Sequence, residues 1–190
     1  MSRPLLLALA LTASWPAIAG NLVVNPGFAT DLTPWNAFNY FDLTVVWSPL
    51  DANDDPASGS VEGTVPVHGT FRGPPYVIQC VTVMPDTRYV VGVKALIPST
   101  SAAPNANASV LANTYPTSDC SGNASVHHLS PVTSVQDTWV DIRHPLQTAA
   151  DEHSIQLNLR VQAPHGTLLR SWFDDAFILP DDLLASDFEP

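Results

Sequence analysis

Short runs of alternating apolar and polar residues recur along the chain. The clearest is SIQLNLRVQ at residues 154–162, where Ile, Leu, Leu and Val alternate with Ser, Gln, Asn, Arg and Gln. A period of two puts successive side chains on opposite faces of a strand, so this run predicts a strand with one buried and one solvated face. Similar runs predict further strands at 42–48, from near Val61, at 79–96 around a turn at 85–87, and at 108–115, 138–146 and 171–180.

Turns and loops separate these runs. The 18 prolines and 9 glycines punctuate the chain between them, and no stretch of ten or more residues keeps a clean helical period. Loops are expected at 49–60, which is acidic, at 98–109, and at 113–125. Many short antiparallel strands at this spacing predict an all-β fold, either a sandwich or a barrel.

The two ends of the chain read differently from the middle. Arg3, an apolar run at 5–12 and the small residues at 17–19 are typical of a secretory signal peptide. The apolar run is shorter than the roughly 20 residues that span a bilayer, so a membrane anchor is the weaker alternative. We expect a signal peptide at 1–19, one domain at 20–180, an acidic tail at 181–190, and a secreted protein, extracellular or periplasmic.

The charge balance argues against some partners. The sequence has 18 acidic and 7 basic residues, a net charge of −11, which becomes −12 if Arg3 is removed with the signal peptide. A chain this acidic repels phosphate backbones and anionic lipid surfaces. We therefore expect neither nucleic acid nor a membrane as a partner, and the sequence leaves the oligomeric state open.

The two cysteines, Cys80 and Cys120, both lie in the expected domain. An even number in an exported protein favours a disulfide. Closing the segment of about 40 residues between them would stabilise the fold by roughly 4 kcal/mol in the loop-entropy model. A metal pair or a catalytic thiol is the alternative, although the chain has no Cys-x-x-Cys spacing.

Several motifs, taken in order, resemble carbohydrate-binding modules of families 4, 9, 16 and 22. The markers are Asn25, Gly27, Phe28 and Trp35 in NLVVNPGFATDLTPW; Gln79, Val81, Val83, Pro85 and Tyr89 in QCVTVMPDTRYVV; Trp139; and the closing strand WFDDAFIL. The resemblance implies a jelly-roll β-sandwich of two antiparallel sheets, of the galactose-binding-like kind. Three positions depart from the family pattern: Ala29, Asp86 and Ala176.

Two adjacent aspartates, Asp174 and Asp175, lie inside the closing strand. Strict alternation would point them to opposite faces, with Asp174 beside Trp172, Ala176 and Ile178. Two carboxyl groups on opposite faces cannot flank one glycosidic bond, so alternation argues against catalysis by this pair.

The family resemblance also implies a structural calcium ion. The ligands carried over are the carbonyl groups of Gly27 and Gly59 and the carboxylate of Asp174, with Asp175 as a substitute. Calcium takes six to eight oxygen ligands, many of them carbonyls. Ala29 removes one further carboxylate, and the alternative is that Asp174 only accepts backbone hydrogen bonds.

Sugar binding needs aromatic faces together with polar hydrogen-bonding side chains. The candidates near loops and strand ends are Trp47, Tyr40, Phe38, Tyr76 and Tyr115. The alternative for each is that it fills the core or an edge. Three other tryptophans are assigned to the core: Trp35, Trp139 and Trp172. The six histidines show no His-x-His or HExxH grouping and are interpreted as solvated or locally hydrogen-bonded.

Together these observations predict an exported, non-catalytic module that binds carbohydrate and contains a structural calcium ion. One alternative is a structural or adhesive surface domain that has the sandwich but binds no sugar. Another is a small hydrolase on the same fold, although no Gly-x-Ser-x-Gly elbow is present.

Overall fold

The computed structural model describes residues 20–38, 43–65, 75–100, 102, 105–163 and 168–181, with the side chains of residues 75 and 76 left out. The described residues form ten strands and no helix. The strands are β1 Asn36–Ala37, β2 Thr44–Ser48, β3 Ser60–Val65, β4 Pro75–Thr82, β5 Arg88–Leu96, β6 Asn107–Tyr115, β7 Val126–Leu129, β8 Val140–Gln147, β9 Ser154–Gln162 and β10 Leu169–Pro180.

The strands form two five-stranded sheets whose neighbours all pair antiparallel. Sheet I has the order β1-β4-β9-β6-β7, and sheet II has the order β2-β3-β10-β5-β8. The predicted all-β sandwich of two antiparallel sheets is confirmed.

The core lies between the sheets and follows directly from the alternation. On β9, Ile155, Leu157, Leu159 and Val161 are each fully buried. They meet inward-facing residues of sheet II such as Val91, and the aromatic ring of Phe28 joins the same cluster. Burying one such side chain contributes about 1.5–3 kcal/mol, so the apolar half of each alternating run holds the two sheets together.

Most predicted strands are found close to their expected bounds. Strand β9 begins and ends where the alternation does, and the turn at 85–87 joins β4 to β5. Two strands were not predicted. Strand β1 is only two residues long, and β7 is a four-residue segment, VHHL, inside a polar region that shows no alternation of its own.

Strand β10 contradicts the prediction that Asp174 and Asp175 point to opposite faces. The pairing of β10 with β5 shifts register between Asp174 and Phe177, and Asp175 has a positive φ of 48°. Phe173 and Ala176 are both fully buried core residues, so two residues rather than one separate successive inward positions. This is a β-bulge, which places two residues opposite one and bends the strand.

The bulge also corrects the neighbours predicted for Asp174. Ala176 and Ile178 face the core, whereas Trp172 is on the outer face of sheet II. There the Trp172 indole Nε1 donates to Glu62 at 3.1 Å, and the guanidinium of Arg170 lies 4.8 Å from its ring centroid. The indole is 8% exposed, so it is buried under polar side chains outside the sandwich core. Of the other tryptophans assigned to the core, Trp35 is confirmed, and Trp139 is half-buried.

The segment before β1 covers the second half of β10. The backbone nitrogen of Leu22 donates to the carbonyl of Ile178 at 3.0 Å, and that of Ala176 donates to Pro26 at 2.9 Å. The side chain of Asn21 bonds both the Ala176 carbonyl and the Ile178 nitrogen. These bonds satisfy the β10 edge beyond the point where β3 pairs with it.

The predicted signal peptide at 1–19 and residues 182–190 of the predicted acidic tail lie outside the described residues. In the part of the chain that the structure describes, no helix is long and apolar enough to cross a membrane.

Candidate functional site

The outward face of sheet I carries many polar side chains, interrupted by Leu111 and Leu129. The residues that alternate with the buried ones on β9 and β6 face outward in register: Asn113 opposite Gln156, Tyr115 opposite Ser154, and Ser109 opposite Arg160. His127 of β7 extends the row because it pairs with Asn113. We call Asn113, Tyr115, His127, Gln156, Asn158 and Arg160 the polar face.

Hydrogen bonds hold several of these side chains in place. The Asn113 Oδ1 and His127 Nδ1 atoms are 2.7 Å apart. The Gln156 Oε1 atom accepts from Asn113 Nδ2 and from the Tyr115 hydroxyl, each at 3.4 Å. Asn158 Nδ2 donates to the Leu111 carbonyl at 2.9 Å. Each side-chain amide carries two donors and an acceptor, so the face presents paired donors and acceptors at fixed positions.

A disulfide-linked loop closes one end of the polar face. Cys80 and Cys120 are joined, with their Cα atoms 6.0 Å apart, so the predicted disulfide is present. The loop that follows β6 bends over the β9 end, where the Ser154 hydroxyl donates to the Thr117 carbonyl at 2.7 Å. The Cys120 nitrogen donates to the same hydroxyl at 3.1 Å. The loop therefore forms a fixed wall beside Tyr115.

The second cluster of polar groups lies at the β10 bulge. A Cβ atom added to Gly27 would lie 3.7 Å from the Oδ1 atoms of both Asp174 and Asp175. The two Oδ1 atoms are therefore no more than twice that distance apart. The bulge thus brings together two carboxylates that alternation would have separated.

Asp174 is fully buried, and no salt bridge to it is found among the described residues. Its Oδ2 accepts from the Ala52 nitrogen at 2.8 Å, and its Oδ1 accepts from the Asp175 nitrogen at 2.6 Å. Burial raises the pKa of Asp174 to about 7, and the neighbouring carboxylates of Asp175 and Asp51 add to that rise. The two backbone hydrogen bonds act in the opposite direction.

Asp175 is more exposed and is already paired. Lys94 Nζ lies 2.8 Å from Asp175 Oδ2, and Asn53 Nδ2 donates to the same oxygen at 2.8 Å. The hydrogen bond and charge of Asp175 raise the pKa of Lys94. The Gly27 carbonyl accepts from the Ser58 hydroxyl at 2.6 Å and from the Gly59 nitrogen at 3.2 Å.

Within the described residues, no group of three or more His, Cys, Asp or Glu side chains is arranged to hold a metal ion. A cation at the bulge would therefore need carbonyl or hydroxyl oxygens as well. Ser60 precedes Val61, which is the register partner of Phe173. Because the two strands are antiparallel, the next step in the register places Ser60 beside Asp174. Its Oγ is buried and has no hydrogen-bond partner in the described part of the chain. The oxygen atoms of a buried carboxylate and a buried hydroxyl are the kind of ligands that a hard cation prefers.

A shallow cavity of about 270 Å³ lies beside the bulge and includes Asn21, Arg143, Asp175 and Phe177 in its lining. The Arg143 guanidinium lies 5.6 Å from the Phe177 ring centroid. Ligand pockets usually enclose about 300–1,000 Å³, so this cavity is small even for a compact ligand.

Comparisons with solved structures identify the architecture. A family 61 carbohydrate-binding module, TmCBM61 in complex with β-1,4-galactotriose, is 17% identical with a TM-score of 0.53, over 85% of this chain and 99% of that one. The C-terminal family 22 module of Clostridium thermocellum Xyn10B is 14% identical with a TM-score of 0.56, over 87% and 97%. The protein has the β-sandwich fold of carbohydrate-binding modules.

The same fold also occurs inside larger proteins. The enzymatically active domain of bacteriophage CBA120 tailspike protein 4 is 17% identical with a TM-score of 0.56, and the match covers 84% of this chain but only 21% of that one. No protein-family model matches the chain, and no curated protein sequence matches it.

The structure places three of the five predicted sugar-binding aromatic side chains. Trp47 is half-buried, packs against the core, and its Nε1 donates to the Phe28 carbonyl at 2.6 Å. Phe38 also packs against the core. Tyr115 lies on the polar face but is only 7% exposed. Tyr40 and the side chain of Tyr76 lie outside the described residues. Sugar contact by these residues stays a prediction.

The sequence analysis missed the amide side chains of the polar face. The signal was available, because the polar half of SIQLNLRVQ supplies Gln156, Asn158 and Arg160 on one side of a strand. What the alternation could not show is that Asn113 and His127 lie beside Gln156, because that depends on the pairing of β6 with β9 and β7.

Proposed function

We propose that this protein is an exported, non-catalytic module that binds a polysaccharide on the polar face. The observation that carries the proposal is the row of amide, phenol and imidazole side chains held in register across three adjacent strands. Sugar hydroxyls both donate and accept hydrogen bonds, and side-chain amides match them because they do the same. The fold shared with modules described as binding galactotriose and xylan supports this use.

The charge of the face points to a neutral polysaccharide. The outward positions described on β9 and β6 carry neutral or basic side chains, although the whole chain has a net charge of −11. The net negative charge of the whole chain repels an anionic polymer, whereas a neutral polymer interacts only with the hydrogen-bonding groups of the polar face.

The geometry of the described carboxylates supports a binding role over hydrolysis. Glycoside hydrolysis uses a pair of carboxyl groups that flank the substrate bond. The pair that converges here, Asp174 and Asp175, lies on sheet II. Asp174 is fully buried and Asp175 is paired with Lys94. A polymer on the polar face would lie on the opposite side of the sandwich.

Glycan arrays and affinity gels containing neutral plant and microbial polysaccharides would test the proposal. We expect Gln156→Ala and Asn113→Ala each to weaken binding by about 2- to 10-fold, the value of one hydrogen bond. Gln147→Ala is the matched control, because Gln147 is exposed on the outer strand of sheet II. Binding that is weakened only by Trp47→Ala or Tyr40→Ala would move the site to the loop end. Failure to bind any polysaccharide would overturn the proposal.

One observation favours the structural or adhesive alternative. Tyr115, Asn113 and Asn158 are 7%, 8% and 4% exposed, so the centre of the polar face offers little aromatic surface for stacking on a pyranose ring. An array without signal, from a protein that is folded and has its disulfide, would support that alternative.

We also propose that the bulge holds a structural calcium ion, with Asp174 as its principal carboxylate. The burial of the Asp174 carboxylate, with its pKa raised to about 7, supports a cation at this site, as does the Ser60 hydroxyl, which has no partner among the described residues. The carbonyls of Gly27 and Gly59 remain the other proposed ligands. Asp175 is the weaker ligand because Lys94 already neutralises it. Since a metal bound only by the folded state raises its stability, a thermal midpoint unchanged by chelator would contradict the calcium site.

A further inference from the structure

Two histidines occupy inward positions at the same open side of the sandwich. His128 pairs with Ala112 on β6, and His144 pairs with Val91 on β5. Ala112 and Val91 are fully buried core residues. Directly paired residues point to the same face of a sheet, so both imidazoles face the space between the sheets. Strand β7 lies at one edge of sheet I and strand β8 at one edge of sheet II, so the two rings lie at an open side of the sandwich.

The rings are close and one of them lacks a partner. Their centroids are 6.3 Å apart with an interplanar angle of 44°. The His128 Nε2 atom is buried and has no hydrogen-bond partner among the described residues. A buried polar nitrogen without a hydrogen-bond partner destabilises the folded state by about 1–3 kcal/mol. A ligand that binds this nitrogen would remove that cost.

We propose that His128 and His144 form a binding site for a divalent transition-metal ion, such as Zn²⁺ or Cu²⁺, that bridges the two sheets. An imidazole nitrogen lies about 2.0–2.1 Å from zinc, which sets the ring centroids of two ligands on one ion about 5 Å apart at a tetrahedral angle and at most about 6.5 Å apart in a linear arrangement. The observed 6.3 Å exceeds the tetrahedral separation by about 1 Å, so binding requires side-chain rotations that bring the two rings closer. Water fills the remaining coordination positions, since only two side chains contribute.

The surroundings favour the neutral imidazole that a metal requires. Burial lowers the pKa of His128, and the neighbouring His144 and His127 act in the same direction, while Glu152 opposes them. Glu152 is itself held by the Thr114 hydroxyl and the Ala149 nitrogen. Imidazole binds zinc, copper and nickel well, whereas calcium prefers oxygen ligands, so this site and the bulge select different ions.

The test is titration of the mature protein, freed of metal by chelator and dialysis, with Zn²⁺ by calorimetry. We expect one site, and a dissociation constant at least about tenfold weaker in His128→Gln and in His144→Gln. His127→Gln and His153→Gln are the matched controls. His127 is the outward neighbour on β7 and is held by Asn113, and His153 is exposed in the turn before β9. Both controls should bind as the wild type does.

Electron paramagnetic resonance of the Cu²⁺ complex gives a readout that a packing role would not change. We expect two coupled nitrogens in the wild type and in both controls, and one in each of the two site variants. Circular dichroism confirms that each variant is folded. Absence of Zn²⁺ binding at about 1 mM, or binding unaffected by His128→Gln and His144→Gln, would overturn the proposal. In that case the two rings only pack against each other.

Discussion

Replacing Asp174 by Asn separates the cost of a buried carboxylate from the benefit of a bound cation. In chelator, the folded-state pKa of about 7 lies above the ordinary value of 3.8. Protonation therefore favours the folded state. Below the ordinary value the group is neutral in both states and costs nothing. As pH rises from about 4 to about 7, the free energy of unfolding should fall, by at most about 4 kcal/mol at 1.36 kcal/mol per pKa unit.

The substituted amide changes this balance in two directions. It removes the charge, which should stabilise the folded state above about pH 7. It also replaces one of two oxygens that accept backbone hydrogen bonds from Ala52 and Asp175, at a cost of about 1–3 kcal/mol. We expect Asp174→Asn to be more stable than the wild type by about 1–3 kcal/mol at pH 8 in chelator. At about pH 4 it should be less stable by a similar amount.

Urea unfolding at several pH values, with and without calcium, measures this difference. Asp141→Asn is the matched control because Asp141 is an exposed carboxylate on β8, with its side chain 52% exposed. Calcium should stabilise the wild type and leave Asp174→Asn unchanged. A wild-type-minus-variant difference that stays constant from about pH 4 to pH 8 in chelator would refute the reasoning about burial. Equal stabilisation of both proteins by calcium would refute the role of Asp174 as a ligand.

Two further predictions concern packing and the disulfide. Gly92→Ala should lower the free energy of unfolding by several kcal/mol, about 3 or more, because the new Cβ would lie 2.3 Å from Phe177 and 2.4 Å from the Ile142 carbonyl. Adding Phe177→Ala should not restore it, because the carbonyl is backbone; full recovery would show that only the ring was in the way. Replacing Cys80 and Cys120 together by Ser should cost about 4 kcal/mol in urea unfolding, and a loss below about 1 kcal/mol would contradict the loop-closure account.

The sequence predicted the fold best where apolar and polar residues alternate strictly. Strand β9 is central in sheet I, and its strict alternation predicts its bounds and its apolar core residues, whereas Ser154 and Asn158 on the face expected to be solvated are buried as well. The closing strand was predicted to exist, but the positions of Asp174 and Asp175 on it were not. A bulge depends on what lies beside the strand, and here β3 pairs with β10 only up to Phe173 while the segment around Pro26 takes over beyond it. No residue pattern within WFDDAFIL indicates that change of pairing partner.

The candidate site likewise depends on strand pairing that the sequence does not show. Each polar residue of β6 and β9 was visible in the sequence, but the face exists only because β6 pairs with β9 over nine residues. The aromatic residues drew attention because stacking is a known way to bind sugars. In the structure the Trp47 indole Nε1 donates a hydrogen bond to the Phe28 carbonyl. Amides are common in loops, so their composition alone does not single out a binding surface.

The hydrogen bonds that Asn21 and Leu22 make to β10 have a consequence for how the domain should be produced. Without these residues, the second half of a twelve-residue strand would present unpaired backbone groups, and such an edge invites pairing with another chain. A recombinant start at Gly20 keeps both residues, whereas a start at Val23 removes them and leaves the Pro26 carbonyl, which accepts from the Ala176 nitrogen. A protein begun three residues later would therefore be prone to self-association and precipitation, even though its polar face is unchanged.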